Sequence, residues 1–256
     1  MIRLDRFLTE QNIASRSESK NLCKKGLVWV NGSVCKDSAV KINPDSDVVT
    51  VNGTQVCVNA KRCYMLNKPA DYVSAVTDET APTVISLMHE ADRMEFFPVG
   101  RLDKDSEGLL LLTNDGVLCH ELTSPRKHVP KTYEVWITGH LGAQETENLQ
   151  SGTDIGDEKP CLPAKILVKE EVGAYALTAS QKAKLPKDTP DTIPASRVWI
   201  TITEGRFHQV KRMFHANRHE VFFLKRLAIG ALALDESLQP GEYRLLTDEE
   251  IELLRK

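Results

Sequence analysis

A short, highly charged loop carries the clearest candidate for chemistry. Residues 99–108 read Val-Gly-Arg-Leu-Asp-Lys-Asp-Ser-Glu-Gly, and the apolar run Leu109–Leu112 follows directly. A loop that glycines bracket and a buried strand supports can hold a carboxylate at the edge of a cleft. Asp103 lies between Arg101 and Lys104, whose positive charges favour its ionised form. Asp103 is therefore a candidate nucleophile or general base, although Asp and Gly are also ordinary loop residues.

Basic residues cluster at three places in a chain whose net charge is −3. Residues 1–62 contain ten Lys and Arg against six Asp and Glu, and residues 197–226 contain seven against two. The third cluster consists of Arg126, Lys127, His128 and Lys131. Such patches on a mildly acidic protein favour a polyanionic partner. On charge alone, a solvated surface is an equally good interpretation.

The composition is typical of a soluble globular protein. Hydrophobic residues make up 41% and charged residues 27% of the 256 residues, and a chain of this length can bury a substantial core. The longest apolar run, residues 227–234, is far shorter than the roughly 20 residues that span a bilayer. The N-terminus is charged where a signal peptide is apolar. We therefore expect a cytoplasmic protein.

The other sites that the sequence offers are weaker. None of the six cysteines forms a Cys-x-x-Cys pair, so we expect reduced packing residues. His215 and His219 have the spacing of a zinc pair but lack a third ligand. Neither phosphate-binding glycine motif occurs. Asp103 and Asp105 are too close in sequence to oppose each other across a sugar, as glycosidase carboxylates do. We predict no metal and no cofactor.

The first sixty residues predict a small unit of two helices followed by short strands. The spacing of apolar residues over 4–8 indicates a first helix. A capping box that begins at Ser15 indicates a second helix, which runs to about Lys25. Two β-branched segments then run into Asn-Gly dipeptides at 31–32 and 52–53, which are preferred hairpin turns.

The rest of the chain predicts strands with interspersed helices, and hence an α+β fold. Residues 181–196 contain three prolines with lysines and aspartates, which favours a loop or partly disordered insertion. After Gly205 an apolar stripe predicts a helix, and residues 247–256 predict a terminal acidic helix. The apolar and alternating runs that predict strands lie at 63–66, 109–113, 132–137 and 197–202.

Four segments, in order, resemble the motifs of a known family. Residues 100–116 read Gly-Arg-Leu-Asp, then a Gly-Leu-rich strand and Thr-x-Asp-Gly. Residues 65–69 read Met-Leu-Asn-Lys-Pro, residues 131–133 read Lys-Thr-Tyr, and residues 204–213 read Glu-Gly-Arg-Phe-His-Gln-Val-Lys-Arg-Met. The chain thus resembles the RsuA/RluB/RluE/RluF family of rRNA pseudouridine synthases. Its N-terminal unit resembles the S4 RNA-binding domain that most members of this family carry.

The resemblance implies roles for three residues. Asp103 matches the essential aspartate with which the family isomerises uridine without a cofactor, breaking the N1–C1′ bond and rejoining uracil through C5. Tyr133 matches the active-site tyrosine, which stacks on the extruded base and assists removal of the C5 proton. Lys211 matches the basic residue that pairs with the aspartate, and Arg212 is the alternative if the register is off by one.

The resemblance also implies that the basic residues contact RNA. The S4-like helix would meet phosphates, which position RNA without reading its sequence. Arg101 would fill the gap that a flipped uridine leaves, and the segment around 126–127 would contact RNA near the cleft. The complete set of expected RNA contacts is Arg16, Lys20, Lys24, Lys25, Arg101, Arg126, Lys127, Arg206, Gln209 and Arg212.

Together these observations predict an S4-like RNA-binding domain over residues 1–59 and a catalytic domain over 61–256. The catalytic fold implied by the resemblance is a mixed, mainly antiparallel sheet with a central cleft. Length and the stretch 124–133 favour small-subunit (16S) rRNA as substrate, within a partly assembled subunit, and we expect the protein to be a monomer. The alternatives are a large-subunit (23S) rRNA target, a noncatalytic rRNA-binding assembly factor, and a glycoside hydrolase.

Overall fold

The computed structural model describes residues 1–11, 13–44, 46–56, 61–90, 93, 96–173, 177, 182–185 and 193–255. They form two compact units. The first contains residues 1–62 with 114–116, and the second contains 63–113 with 117–256. The predicted domain boundary at residues 59–61 adjoins residues 57–60, which lie outside the described residues. No helix of the described segments is long and apolar enough to cross a membrane.

The first unit consists of two helices against short antiparallel strands. Its elements are β1 (Ile2–Arg3), α1 (Leu4–Glu10), α2 (Arg16–Lys24), β2 (Val28–Val30), β3 (Ser33–Val34), β4 (Lys41–Ile42), β5 (Val49–Val51) and β6 (Thr54–Gln55). Strand β1 pairs with β4, and the remaining strands form a sheet in the order β3-β2-β5-β6.

The local signals in this unit act as the sequence predicts. The Ser15 hydroxyl accepts a hydrogen bond from the backbone N–H of Glu18, and the Glu18 carboxylate accepts one from the N–H of Ser15. This capping box starts α2, and Gly26, with φ of 73°, follows its end. Asn31 and Gly32 have φ values of 49° and 77°, the backbone of a two-residue hairpin turn. The two predicted helices and both hairpins are confirmed.

The second unit contains a large sheet with helices beside it. Its strands are β7 (Cys63–Lys68), β8 (Phe97–Val99), β9 (Glu107–Thr113), β10 (Lys131–Thr138), β11 (Lys165–Gly173), β12 (Pro194–Ile202), β13 (Val221–Ile229), β14 (Leu232–Ala233) and β15 (Tyr243–Leu245). Its described helices are α3 (Gly116–Thr123), α4 (Ala143–Ser151), α5 (Gln209–Ala216) and α6 (Asp248–Arg255), with 3-10 turns at Val84–Leu87 and Pro125–Lys127. Gly116, the first residue of α3, belongs to the first unit.

The sheet is mixed and mainly antiparallel, as predicted. Its strand order is β11-β12-β10-β13-β9-β7-β15, with β8 paired to β9 and β14 to β13. Of the described pairings in this sheet, only that of β13 with β9 is parallel. Apolar side chains pack on both faces, in one cluster around Val135 and Phe214 and another around Leu111 and Leu118. The predicted strands are confirmed, and all of them extend further than the sequence indicated.

Three elements differ from the sequence-based expectation. The helix predicted after Gly205 begins only at Gln209, because His208 has the left-handed φ of 48° and cannot continue a helix. Strand β12 begins at Pro194, inside the predicted insertion, and residues 181 and 186–192 of that insertion lie outside the described residues. The long strand β13, which follows α5, was not among the predicted strands, and its pairing with β10 and β9 forms it.

The parallel pairing of β9 with β13 depends on Gly108. This residue lies opposite Arg226 and has φ of 98°. A Cβ atom at residue 108 would lie 2.3 Å from the Arg226 carbonyl oxygen and 2.8 Å from its nitrogen. Both obstacles are backbone atoms, which cannot rotate away. Only glycine therefore allows the loop before β9 to lie directly beside β13.

We predict that Gly108→Ala destabilises the second unit by at least about 3 kcal/mol, because a positive φ and a backbone clash add. Chemical unfolding monitored by tryptophan fluorescence measures this change. Gly205→Ala is the matched control, since Gly205 has an ordinary φ and open space around its Cα. Equal stability of the two variants would contradict the importance of this close approach.

Candidate active site

A cavity of about 600 Å³ lies within the second unit. One wall is the loop 99–104 and another is the segment 203–210, which leads into α5. The inner end of the cavity is formed by the sheet, from Lys131, Tyr133, Ile202, Leu224 and Arg226. The strands β10, β12 and β13 that carry these residues are neighbours in the sheet. The cavity is therefore a deep cleft over the centre of the sheet.

Buried contacts hold the loop that carries Asp103. The backbone N–H of Leu102 donates to the Ser74 hydroxyl oxygen at 3.0 Å, and that hydroxyl donates to the Leu102 carbonyl at 2.9 Å. The Leu102 side chain packs in the core. On the other side, the N–H of Ser106 donates to the Asp103 carbonyl at 3.1 Å. Asp103 thus lies in a loop that is anchored at both of its flanks.

Lys68 binds the backbone of the same loop through its side chain. Its side chain is fully buried, and its ammonium group donates to the carbonyl oxygens of Pro69, Lys104 and Ser106 at 2.9, 3.2 and 2.6 Å. Burial lowers the pKa of Lys68 to about 8. Three carbonyl acceptors satisfy this cation, which acts as a clamp on the backbone that carries Asp103.

The Asp103 carboxylate faces two cationic or titratable groups. Lys211 Nζ lies 3.1 Å from Asp103 Oδ2, and His208 Nε2 lies 3.5 Å from Asp103 Oδ1. Lys211 Nζ also donates to Asp105 Oδ1 at 2.6 Å. The side chains of Asp103 and Lys211 are only 26% and 24% exposed, so water screens the attraction between them weakly. Lys211 therefore contacts the carboxylates of both Asp103 and Asp105.

The charges of Lys211 and Asp105 stabilise each other. Burial opposes the charge on Lys211, but hydrogen bonds from its ammonium group to Asp105 and Asp103 outweigh burial and raise the pKa of Lys211. Burial also opposes the charge on Asp105, and the hydrogen bond and charge of Lys211 overcome it and lower the pKa of Asp105. Lys211 is therefore held as a cation between two carboxylates.

The segment before α5 is built to present Lys211 and His208. Gln209 is buried, its side-chain nitrogen donates to Glu204, and its side-chain oxygen accepts from the backbone N–H of Arg206. The left-handed residue His208 then turns the chain into α5. Its ring stacks on Phe207, with ring centroids 3.8 Å apart. Lys211 follows in the first turn of the helix and points back to Asp103.

The structure brings Asp103 and Tyr133 to one cavity, and Lys211 contacts Asp103 there. Tyr133 lies on β10 and is only 7% exposed. Lys131 and Arg226, which sequence reasoning did not assign to this site, line the same cavity. The alternation of side chains along β13 could have identified Arg226 as a cavity residue. Arg226 lies two residues after the buried Leu224, so its side chain points to the same face. His208 was also missed, although it lies within the quoted 204–213 motif.

The residues predicted to contact RNA fall into two groups. Seven are exposed: Arg16, Lys20, Lys24 and Lys25 in the first unit, and Arg101, Arg126 and Lys127 in the second. The other three have protein partners. Arg206 donates to Glu204 and to the carbonyls of residues 159 and 160, Arg212 pairs with Asp157, and Gln209 is buried. These contacts hold the segment around the start of α5 in place, and the RNA contacts of the three side chains stay predictions.

The described residues show no group of three or more metal-ligating side chains. His215 instead lies 2.8 Å from a Glu220 carboxylate oxygen, and His219 Nδ1 lies 2.8 Å from the Thr138 carbonyl. Of the described cysteines, Cys23, Cys63 and Cys161 are buried. The cavity therefore offers carboxylates, amines and aromatic rings for its chemistry.

Comparison with known proteins shows the family and agrees with this fold. Residues 62–216 match the RNA pseudouridylate synthase family, and residues 2–49 match the S4 domain. The chain belongs to the RNA pseudouridylate synthase family. A solved structure described as a pseudouridylate synthase is 33% identical and superposes with a TM-score of 0.65, covering 99% of this chain and 100% of that chain.

Full-length relatives define the branch. The chain is 41% identical over 256 residues to an uncharacterized RNA pseudouridine synthase of Bacillus subtilis, covering 100% of this chain and 99% of that protein. It is 38% identical to ribosomal small subunit pseudouridine synthase A of Vibrio vulnificus, covering 100% of each. It is 35% identical to the Escherichia coli K12 protein of the same name, covering 98% of each. The predicted resemblance is confirmed: this is a pseudouridine synthase of the RsuA type.

We predict that Lys68→Met lowers both stability and the rate of uridine isomerisation. The substitution leaves three carbonyl oxygens without their donor and loosens the backbone at Asp103, which we expect to cost about 2 kcal/mol or more. Thermal unfolding and single-turnover kinetics measure the two effects. Lys104→Met is the control for stability, because Lys104 is exposed in the same loop. A Lys68→Met protein as stable as this control would disprove the clamp.

Proposed function

We propose that this protein converts one specific uridine of small-subunit (16S) rRNA to pseudouridine, without a cofactor and with Asp103 as the essential residue. The observation that carries the proposal is the ion pair of Asp103 with Lys211 at 3.1 Å, at a cavity that Asp103 and Tyr133 both line. A uridine must leave its helix stack to reach a carboxylate at this depth.

Asp103 is suited to the first step of the isomerisation. A carboxylate that Lys211 keeps ionised can attack C1′ of the ribose, attack C6 of the base, or remove a proton from C2′. In each route the Asp103 anion supplies the electron pair, and Lys211 limits the free energy needed to keep that anion in a partly buried site. The uracil then turns in the cavity and rejoins the ribose through C5.

Tyr133 is placed to hold the base during this rotation. Its ring lies in the cavity wall, on the strand that pairs with Arg226. An aromatic ring provides a stacking face that tolerates rotation of the uracil in its own plane. The phenol group is also suited to removing the C5 proton, which must leave before the product becomes aromatic.

RNA binding is divided between the rim of the cavity and the N-terminal unit. Arg101 is exposed and lines the cavity, so it is placed to fill the gap that a flipped uridine leaves. In the first unit, Arg16, Lys20 and Lys24 are exposed at every fourth residue of α2. This spacing puts three cations on one helix face, which suits contact with a phosphate backbone.

The choice of small-subunit rRNA rests on full-length similarity. The Vibrio vulnificus and Escherichia coli relatives are named as ribosomal small subunit enzymes, and nearly all of each chain aligns. We propose that the substrate is the rRNA of a partly assembled small subunit, that the protein acts in the cytoplasm, and that it acts as a monomer. Large-subunit rRNA is the alternative target.

The decisive experiment measures tritium release from rRNA labelled at C5 of uridine. Isomerisation replaces the C5–H bond with a C5–C1′ bond, so each turnover must release the label. We expect release from small-subunit transcripts or partly assembled particles, and a loss of at least about 10³-fold in Asp103→Asn. Asp248→Asn, an exposed residue at the start of α6, is the matched control and should retain full activity.

Each other result has a defined meaning. Release from large-subunit rRNA alone would replace the proposed target. Tight binding without release from any RNA or particle would favour the noncatalytic assembly factor. Full activity in Asp103→Asn would remove Asp103 from the mechanism.

We predict a separate, purely electrostatic role for α2. Replacing Lys20 and Lys24 by Gln should weaken rRNA binding by about threefold to tenfold at physiological salt and reduce the salt slope of log K by roughly 2, one unit for each phosphate that is no longer neutralised. Binding titrations over a range of KCl concentrations measure both quantities. Gln at Lys36 and Lys41, which are exposed elsewhere in the same unit, is the matched control. The same salt slope in both variants would exclude α2 as an RNA contact.

A further inference from the structure

The inner end of the cavity contains a buried cation that lacks a counter-ion among the described residues. Arg226 is only 2% exposed, and its Nε donates to the Leu109 carbonyl at 2.7 Å. Its Nη2 atom is enclosed and has no hydrogen-bond partner among those residues. No carboxylate of the described segments forms an ion pair with this guanidinium. Part of its hydrogen-bonding capacity is therefore unused by the protein.

A second cation lies beside it. Lys131 also lines the cavity, and its ammonium group donates to the Val129 carbonyl at 3.1 Å. Burial, and after it the positive charge of Arg226, lower the pKa of Lys131. The two like charges therefore interact with each other. Tyr133 lies on the same strand as Lys131 and is the register partner of Arg226 on β13, so the two cations flank the tyrosine proposed to hold the base.

This arrangement costs folding free energy. Desolvating a charged side chain is unfavourable unless partners compensate for it. The charge of Arg226 is stabilised by one described backbone carbonyl, that of Leu109, and it is repelled by the charge of Lys131. A ligand oxygen that carries negative charge at this end of the cavity would be attracted by both cations and would reduce the repulsion between them. The two residues thus define a site for such an oxygen.

The depth of the site indicates which part of a nucleotide it meets. A flipped nucleotide enters a pocket with its base first, and its phosphates remain with the RNA backbone at the rim. Arg226 and Lys131 stand on the sheet at the inner end, whereas exposed Arg101 stands on the loop above. The inner cations are therefore placed for the base rather than for a phosphate.

The chemistry of isomerisation supplies the negative charge. When the N1–C1′ bond breaks heterolytically, its electron pair stays with uracil, and the charge is shared among N1, O2 and O4. When a nucleophile adds to C6, the electron pair of the C5–C6 bond moves into the conjugated carbonyl and places charge on O4. In either route, an oxygen of the base becomes more negative than in the bound uridine. Preformed cations at that oxygen stabilise the transition state more than the substrate.

We propose that Arg226 and Lys131 form a cationic floor that binds a carbonyl oxygen of the target uracil and stabilises the negative charge that develops on the ring. This inference rests on the proposed function and assigns the floor a catalytic role within it.

The test compares Arg226→Met, Arg226→Lys and Lys131→Met with the wild-type full chain. The readouts are the single-turnover rate of tritium release, the dissociation constant for rRNA and the melting temperature. We expect Arg226→Met to lower the rate about 100-fold with less than about a threefold change in the dissociation constant. Its melting temperature should not fall, because a buried charge is removed. Arg226→Lys should recover at least about tenfold of the lost rate, and Lys131→Met should lower the rate about tenfold.

Lys225→Met is the matched control, because Lys225 is the adjacent cation of β13 and does not line the cavity. It should keep the wild-type rate. Transcripts with a phosphorothioate on the 5′ side of every uridine distinguish base from phosphate binding. We expect the same ratio of wild-type to Arg226→Met rates on these transcripts as on normal ones, whereas a phosphate contact would change that ratio.

Three results would overturn the proposal. A wild-type rate in both Arg226→Met and Lys131→Met would show that the floor does not act on the base. A fall in melting temperature with no recovery in Arg226→Lys would give Arg226 a structural role. A rate ratio altered by the phosphorothioate would assign the floor to a phosphate. If the wild-type protein itself releases no tritium from any rRNA, the proposed function fails first and the inference fails with it.

Discussion

The close approach of Gly108 to the backbone of Arg226 is the constraint on which the site depends. Parallel pairing of β9 with β13 at this position brings the charged loop before β9 next to the strand that carries Arg226. Any Cβ atom at residue 108 would separate the two strands. The loop with Asp103 and the inner end of the cavity would then move apart, and the groups that lie on them would no longer face one cavity.

Charge balance explains why so many ionisable groups share a small volume. Asp103 and Asp105 both contact Lys211, and His208 lies at the other oxygen of Asp103. Each carboxylate of this rim group thus has a basic partner. The inner end of the cavity is different, because Arg226 and Lys131 lie there without a described acidic partner. Paired charges thus lie at the rim of the site, and two cations without a described acidic partner lie at its inner end. This arrangement suits a reaction that moves electrons into a buried heterocycle.

The clamp at Lys68 and the network at Gln209 show how the fold supports this cluster. Lys68 binds the backbone on both sides of Asp105, while Gln209 joins Glu204 to the N–H of Arg206. Both side chains are buried, and both use polar groups to fix loop backbone that hydrophobic packing alone would leave loosely specified. Buried polar side chains therefore hold the backbone that carries the residues of the proposed mechanism.

The sequence by itself determined the local elements and the identity of the central residues. The capping box at Ser15, the Asn-Gly turns and the strands at 109–113 and 132–137 all follow from signals that act over a few residues. The motif around Asp103 likewise predicted a loop that lines the cavity. What only the tertiary structure decided depends on contacts between distant segments. His208 adopts a left-handed backbone, residues 221–229 form strand β13, and Arg226 becomes a cavity residue because β10 and β9 pair with its strand. Local propensity does not contain these pairings, and so it could not distinguish the buried Arg226 from the many exposed basic residues.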